Sequence, residues 1–245
     1  MLSWILISTA AGLATGLGAI PILLFKEIPE NIHDALLGFS AGVMLTAASF
    51  SLLLPALEEG GLWQTLLGIA ISCIFVFWIE KTIPHLHPHF GRKAPQNLGL
   101  DKGLLMAVAV TLHNFPEGLA VGVGLASGSD NLGVLLAVAI AAQNIPEGLA
   151  VAAPIANSGL SRLKVFGFTL VSGLAEPIAA IVGMTLAGFS KAVLPFGLAF
   201  AAGAMFYVVS DQIIPECHSN GNETEATFGV MAGVIAMLAL QELLG

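Results

Sequence analysis

Charged side chains are scarce in this 245-residue chain: Lys and Arg number 8, Asp and Glu 16, and together they make up 10% of it. A soluble domain carries roughly 25%. So few basic residues, within a net charge of −8, leave no face that could hold a phosphate backbone, so nucleic acid is not an expected partner. The only cysteines, Cys73 and Cys217, form neither a disulfide framework nor a CxxC pair. One tyrosine and three tryptophans leave little to stack on an organic ring. No G-x-x-x-x-G-K-[ST] segment is present, which excludes a P-loop energy source. No basic stretch precedes the first apolar run, so it reads as a retained helix rather than a cleaved leader.

What the chain does have is long apolar runs; 56% of it is hydrophobic. About 20 such residues cross a bilayer, and polar punctuation separates spans near 2–25, 31–56, 62–82, 103–127, 131–156, 162–188, 193–213 and 226–244. These runs are too long for barrel strands and lack their alternation, and a lipid-exposed backbone is satisfied only in helices or closed barrels. The expected fold is therefore all-α: one polytopic bundle of eight transmembrane helices within the lipid bilayer, residues 1–245 forming a single domain. Seven of the eight basic residues fall in loops that share one side, including Lys81, Arg92, Lys93 and Lys102 at the 83–102 loop. Basic loops stay inside, so both termini should face outward, in a cell (inner or plasma) membrane. Small pairs such as Gly12/Gly16, Gly38/Gly42, Gly118/Gly122 and Gly229/Gly233 suit close helix packing. The same small-residue faces could serve a homodimer.

Acids sit where this solvent should exclude them. Residues 113–118 read HNFPEG, 143–148 read QNIPEG and 172–177 read SGLAEP. His113 and Glu117 are four apart and Asn114 and Glu117 three apart, so all three share a helix face. Gln143, Asn144 and Glu147 repeat the spacing, and Glu176 lies at similar depth in the sixth span. A buried ionised carboxylate costs several kcal/mol unless paired. Yet no Lys or Arg occurs between Lys102 and Arg162, or between Lys164 and Lys191. Protons, water or an external cation must compensate these acids, and intramembrane acids default to functional roles. Imidazole nitrogen, carboxylate and amide oxygen together suit a divalent transition ion. Pro116, Pro146 and Pro177 free the carbonyls of Leu112, Ala142 and Gly173, and should kink the helices around a midplane site.

These motifs resemble those of the ZIP (Zrt/Irt-like) family of divalent metal transporters, close to its bacterial and archaeal branch and over the whole chain. The resemblance implies helices 4 and 5 enclosed by two three-helix groups of inverted topology, with the metal centre between them. By position it makes His113, Glu117, Gln143 and Glu147 ligands of the principal metal. Asn114, Asn144 and Glu176 would form an adjacent site with the two bridging glutamates. Met44 resembles a position that can add a thioether, although plain packing would equally account for it. Members with a two-metal centre can carry Asp where this chain has Asn144. Two dications would then face only three carboxylates, so one strong site and one weak site are expected. The implied function is uptake of Zn2+ into the cytoplasm, with Fe2+, Mn2+, Co2+ or Cd2+ as further candidates and no prosthetic group.

Other polar residues are less telling. His85, His87 and His89 in the 83–102 loop could accept released metal or be merely solvated. Glu58 and Glu59, expected in an outward EEGG loop, could concentrate cations. Asp211, Glu216 and His218 could mark an exit. A metallohydrolase would want a second histidine, as in H-E-x-x-H, and none lies in a neighbouring span, so the chain is not expected to be an enzyme. A proton- or sodium-coupled carrier of an organic solute is the remaining alternative, but the spans hold no arginine to meet the solute's charge.

Overall fold

The computed structural model of the protein describes residues 2–25, 28–82, 102–128, 130–156, 160–188, 190 and 192–244. Every regular element among them is helical. Six stretches are long and apolar enough to cross a membrane: Ser3–Leu24, Glu30–Lys81, Asn131–Ala153, Arg162–Gly188, Leu194–Cys217 and Glu223–Leu244. In chain order, α1 (Leu2–Gly18) and α2 (Ile20–Leu24) are followed by α3 (Glu30–Thr46), a π-helical segment Ala47–Leu53 and α4 (Leu54–Thr82). Then come α5 (Lys102–Ala126), α6 (Asp130–Ala156), α7 (Arg162–Gly173) and α8 (Ala175–Gly188). The last are α9 (Leu194–Val208), a second π-helical segment Val209–Ile213, α10 (Ile214–Cys217) and α11 (Glu223–Leu244).

Three local features differ from the sequence expectation. The EEGG stretch is not a loop: Glu58 and Glu59 are exposed helical residues of α4, and the turn is confined to Gly61 at φ 70, ψ 176. That left-handed φ is one that glycine reaches without steric cost. Helices α5 and α6 run on through Pro116 and Pro146 without interruption; packed neighbours can hold a membrane helix that lacks one internal bond. The real interruption comes one helix later, at Leu174 between α7 and α8. Pro177 therefore falls in the first turn of α8, where an N–H would have no intrahelical partner anyway.

The π-helical segments share a cause visible in the chain. Pro55 closely follows the first and Pro215 the second. Neither proline can bond the carbonyl four residues back, Ser51 or Asp211, which favours a wider turn there.

The helices pack in two groups. One contains α1, α5, α6, α7 and α8, with α5 against α8 and α1 against α6; the other contains α3, α4, α9 and α11, with α3 against α11 and α4 against α9. Glycines make these pairings close. A Cβ on Gly38 would lie 2.3 Å from the Ala226 carbonyl oxygen, and one on Gly42 2.1 Å from that of Val230. Among the described residues, every such approach below 3.0 Å stays inside one group. Between the groups, the tightest glycine approach is Gly197 of α9 to Val123 of α5, at 3.4 Å and to a side chain only.

Candidate metal centre

The two repeated motifs place their glutamates by the same device. Each is followed by glycine, and each glycine lets a neighbouring helix come into backbone contact. A Cβ on Gly118 would be 2.3 Å from the carbonyl oxygen of Glu176 in α8. On Gly148 it would be 2.0 Å from that of Thr15 in α1. Glu117 is thereby drawn against the helix that carries Glu176, and Glu147 against α1. Glu176 sits in the first turn of α8, where the positive end of the helix dipole favours an acid.

Asn114, Glu117, Gln143, Asn144, Glu147 and Glu176 are all buried, at 0–1% exposure. They converge on one another. Gln143 Nε2 donates to Glu117 Oε1 at 2.5 Å, and Asn144 Nδ2 donates to Glu176 Oε1 at 2.5 Å and to the Ala11 carbonyl at 2.9 Å. The Glu117 and Glu147 carboxyl groups lie against each other, with Glu176 near both. His113 is only part-buried, its Nδ1 4.0 Å from Glu147 Oε1. Its Nε2 meets Gln212 Oε1, and Gln212 Nε2 in turn donates to Glu80 Oε1.

The internal bonds leave much unsatisfied. Among the described residues, eleven buried side-chain N or O atoms have no hydrogen-bond partner, and eight of them belong to these six residues. They are both amide atoms of Asn114, Glu117 Oε2, Gln143 Oε1, Asn144 Oδ1, both oxygens of Glu147, and Glu176 Oε2; Glu117 and Glu147 can hydrogen-bond each other only when one of the two carboxyls holds a proton. A buried polar atom without a partner costs about 1–3 kcal/mol, and more if charged. No Lys or Arg is ion-paired with the three glutamates among the described residues: Arg162 reaches the Leu23 carbonyl and Lys81 lies over the Phe77 ring. Seven unpartnered oxygens and one imidazole are donor types that suit a hard-to-borderline dication. Among the described residues, the carboxylates and histidine do not converge at coordinating distance in any group of three.

The remaining expectations divide. Met44 is wholly buried in α3, one turn beyond Ser40, whose hydroxyl donates to the Gln143 carbonyl at 3.0 Å. That places Met44 on the helix face that meets α6. Asp211 is exposed and Glu216 half-buried, while His218 Nδ1 turns back to the Ile214 carbonyl at 2.9 Å; none joins the cluster. His85, His87 and His89 lie outside the described residues. Gln212 and Glu80 were missed by the sequence reading. Glu80, beside Lys81, looks like an ordinary helix-end charge, and Gln212 is 99 residues from His113, beyond the reach of any local periodicity. The one available signal was Gln212's position as a polar residue inside an apolar span.

Comparison with known proteins places the chain among zinc transporters. Residues 99–241 match the family profile described as ZIP zinc transporter. The chain is 39% identical to zinc transporter GufA of Myxococcus xanthus, with 97% of each chain covered. It is 38% identical to zinc transporter ZIPB of Bordetella bronchiseptica, over 96% of this chain and 80% of that one. Human zinc transporter ZIP11 is 32% identical, with 94% of each covered. A matched profile spanning the repeated acid-bearing helices, and full-length relatives at this identity, leave one assignment: the chain belongs to the ZIP zinc transporter family.

Proposed function

We propose that the protein carries divalent transition-metal ions, zinc foremost, across a cell membrane into the cytoplasm. His113, Glu117, Gln143 and Glu147 hold the principal ion, and Met44, buried on the face of α3 that meets α6, adds a thioether. Asn114, Asn144 and Glu176 extend the centre toward a second, weaker position sharing both glutamates. Three carboxylates neutralise one dication fully and two incompletely, so the second ion is transient. The observation that carries the reading is the concentration of eight unpartnered buried polar atoms on six side chains. Burial alone would make them a liability; coordination of a cation turns them into ligands.

Eight crossings with both termini outside are the topology that goes with this site. The stretch Glu30–Lys81 is 52 residues long, which as one straight helix would reach about 78 Å, against a hydrocarbon thickness of about 30 Å. The left-handed turn at Gly61 supports dividing it into two crossings. An inverted repeat exchanging the first three crossings with the last three is supported by the packing. The pairing of α3 with α11 answers that of α9 with α4, and α1 with α6 answers α8 with α5. Each triplet also contains a π-helical segment closed by a proline.

Movement follows from the seams. Backbone-to-backbone glycine contacts knit each helix group internally, while the groups meet each other through side chains. The group carrying the metal site shifts against the other, exposing the ion to alternate sides. The direct test is uptake of radiolabelled zinc into sealed vesicles by the parent and by Glu117→Ala. Parent uptake without ATP, lost in the variant, supports the reading; equal uptake by both removes the role given to that acid.

A further inference from the structure

Among the described residues, the buried polar atoms without a protein partner outside the six residues of the centre are Thr15 Oγ1, Ser51 Oγ and Gln241 Oε1. Of these residues only Thr15, wholly buried in α1, belongs to the helix group that carries the acids. A helical threonine ordinarily satisfies its hydroxyl on a carbonyl one turn back. Thr9, Thr46, Thr65, Thr169, Thr185 and Thr227 all do so, each donating to the carbonyl four residues earlier at 2.6–3.1 Å. For Thr15 that acceptor would be the Ala11 carbonyl, which is already engaged. Asn144 Nδ2 donates to it at 2.9 Å, and the backbone N–H of Thr15 takes its other lone pair within the α-helix. An amide of the centre thus holds the bond that the Thr15 hydroxyl would otherwise make.

The displaced hydroxyl is turned toward the end of α7, beside the break at Leu174: a Cβ on Gly173 would lie 3.1 Å from Thr15 Oγ1. One turn earlier, α1 meets both members of the Asn144–Glu176 pair. The Ala11 carbonyl accepts from Asn144, and a Cβ on Gly12 would lie 3.3 Å from Glu176 Cβ. Residues 11, 12 and 15 share one face of a helix. Asn144 Nδ2 also donates to Glu176 Oε1, which leaves Asn144 Oδ1 and Glu176 Oε2 without partners beside that face. Three helices therefore each bring one unpartnered oxygen to the same junction. We propose that the Thr15 hydroxyl is a further oxygen donor of the second cation position, and that this position prefers a hard dication of the Mn2+ class to a second zinc. The imidazole and the thioether belong to the principal ion, so the donors left to the second are carboxylate, amide and hydroxyl oxygens. Oxygen-only sites suit Mg2+, Ca2+ and Mn2+, whereas imidazole and sulfur favour zinc. A hydroxyl also adds a ligand without adding charge, which keeps the position weak. The existence of the centre rests on the transport reading above.

Thr15→Val keeps the shape and removes the hydroxyl, so two measurements on the detergent-solubilised full chain separate a ligand from a packing fault. With one equivalent of zinc in place, Mn2+ binding is read from the loss of the free-ion paramagnetic resonance signal. Melting is followed without metal. The parent should bind Mn2+ beside zinc. Thr15→Val should bind Mn2+ about tenfold more weakly while its zinc affinity stays within about twofold, and Thr15→Ser should restore the parent's Mn2+ binding. The metal-free melting temperature of Thr15→Val should be no lower than the parent's, because the change removes a buried hydroxyl that has no protein partner. Thr15→Ala carries the binding test if Thr15→Val does not fold. Mn2+ binding unmoved in the variant, or a zinc-loaded parent that takes up no Mn2+, would overturn the proposal. Equal losses of zinc and Mn2+ affinity with a lower metal-free melting temperature would mark a packing role and overturn it too. Failure of the parent to move zinc into vesicles, with Mn2+ binding still weakened in Thr15→Val, would instead remove the transport reading and leave this oxygen site standing.

Discussion

Helices α1, α5, α6, α7 and α8 bury Asn114, Glu117, Gln143, Asn144, Glu147 and Glu176 together. Helices α3, α4, α9 and α11 bury mostly Ala, Leu, Val and Met against them. Polar contacts by which the second group reaches the first include His33 Nε2 with the Ala150 carbonyl at 3.0 Å, Ser40 with the Gln143 carbonyl, and Gln212 with His113. Pro154 lies four residues past Ala150, so that carbonyl has lost its helical partner, and His33 supplies a replacement. The contrast teaches a division of labour. One group buries the clustered acids and amides proposed to bind the ion; the other supplies a wall that meets individual side chains without adding a carboxylate to that cluster. A site contained in one body can move intact, since moving it breaks none of the bonds among its own acids and amides.

The sharpest way to break this contrast is to remove an acid from the first group. Glu117→Ala or Glu147→Ala should lower zinc uptake by about 100-fold or more, some 2.8 kcal/mol, whereas Ser51→Ala in the second group should leave it within about twofold. Comparable losses in all three would dissolve the distinction. Tying the groups together should matter nearly as much. With Cys73→Ser and Cys217→Ser as background, the pair Val123→Cys and Gly197→Cys spans the looser seam, where a Cβ at 197 lies 3.4 Å from the Val123 side chain. Oxidation should cut uptake about tenfold and reduction should restore it; uptake indifferent to the cross-link would mean the groups do not shift.

A gentler change sharpens the charge argument within the first group. Asn144→Asp adds a fourth carboxylate, enough to neutralise two dications, and calorimetry should then find a second zinc site within about tenfold of the first. A variant that still binds a single ion would show that charge is not what limits the second position. The smallest effect is expected at the wall: Ser40→Ala loses one hydrogen bond to the Gln143 carbonyl, about 1 kcal/mol. It should raise the half-saturating zinc concentration roughly fivefold with little change in maximal rate.

The centre was legible because its parts are local. His113, Asn114 and Glu117 share a face by spacing alone, and the missing Lys and Arg are visible in a single reading of the chain. Depth along successive spans brought Glu176 together with Glu117 and Glu147, while its grouping with Asn144 came from the family resemblance. The supporting residues were not legible for the opposite reason. Gln212 meets His113 across 99 positions, and its inward aim depends on a π-helical turn that no periodicity announces. A kink was expected at each proline; helix continues through Pro116 and Pro146, and an interruption falls at Leu174, just before the helix whose first turn holds Pro177. Gly61 alone makes a turn that two acids and two glycines seemed to require, since α4 resumes directly after it.

The glycine seams set a limit on how such a carrier can diversify. Where backbone lies on backbone, as at Gly118 against Glu176 or Gly148 against Thr15, even one added methyl would force the helices apart, so these positions offer no gradual route to change. The donors beside them have more freedom, because exchanging an amide for an acid or an imidazole alters charge without altering helix spacing. Descendants of this scaffold can therefore acquire a taste for a different ion while inheriting an unaltered frame.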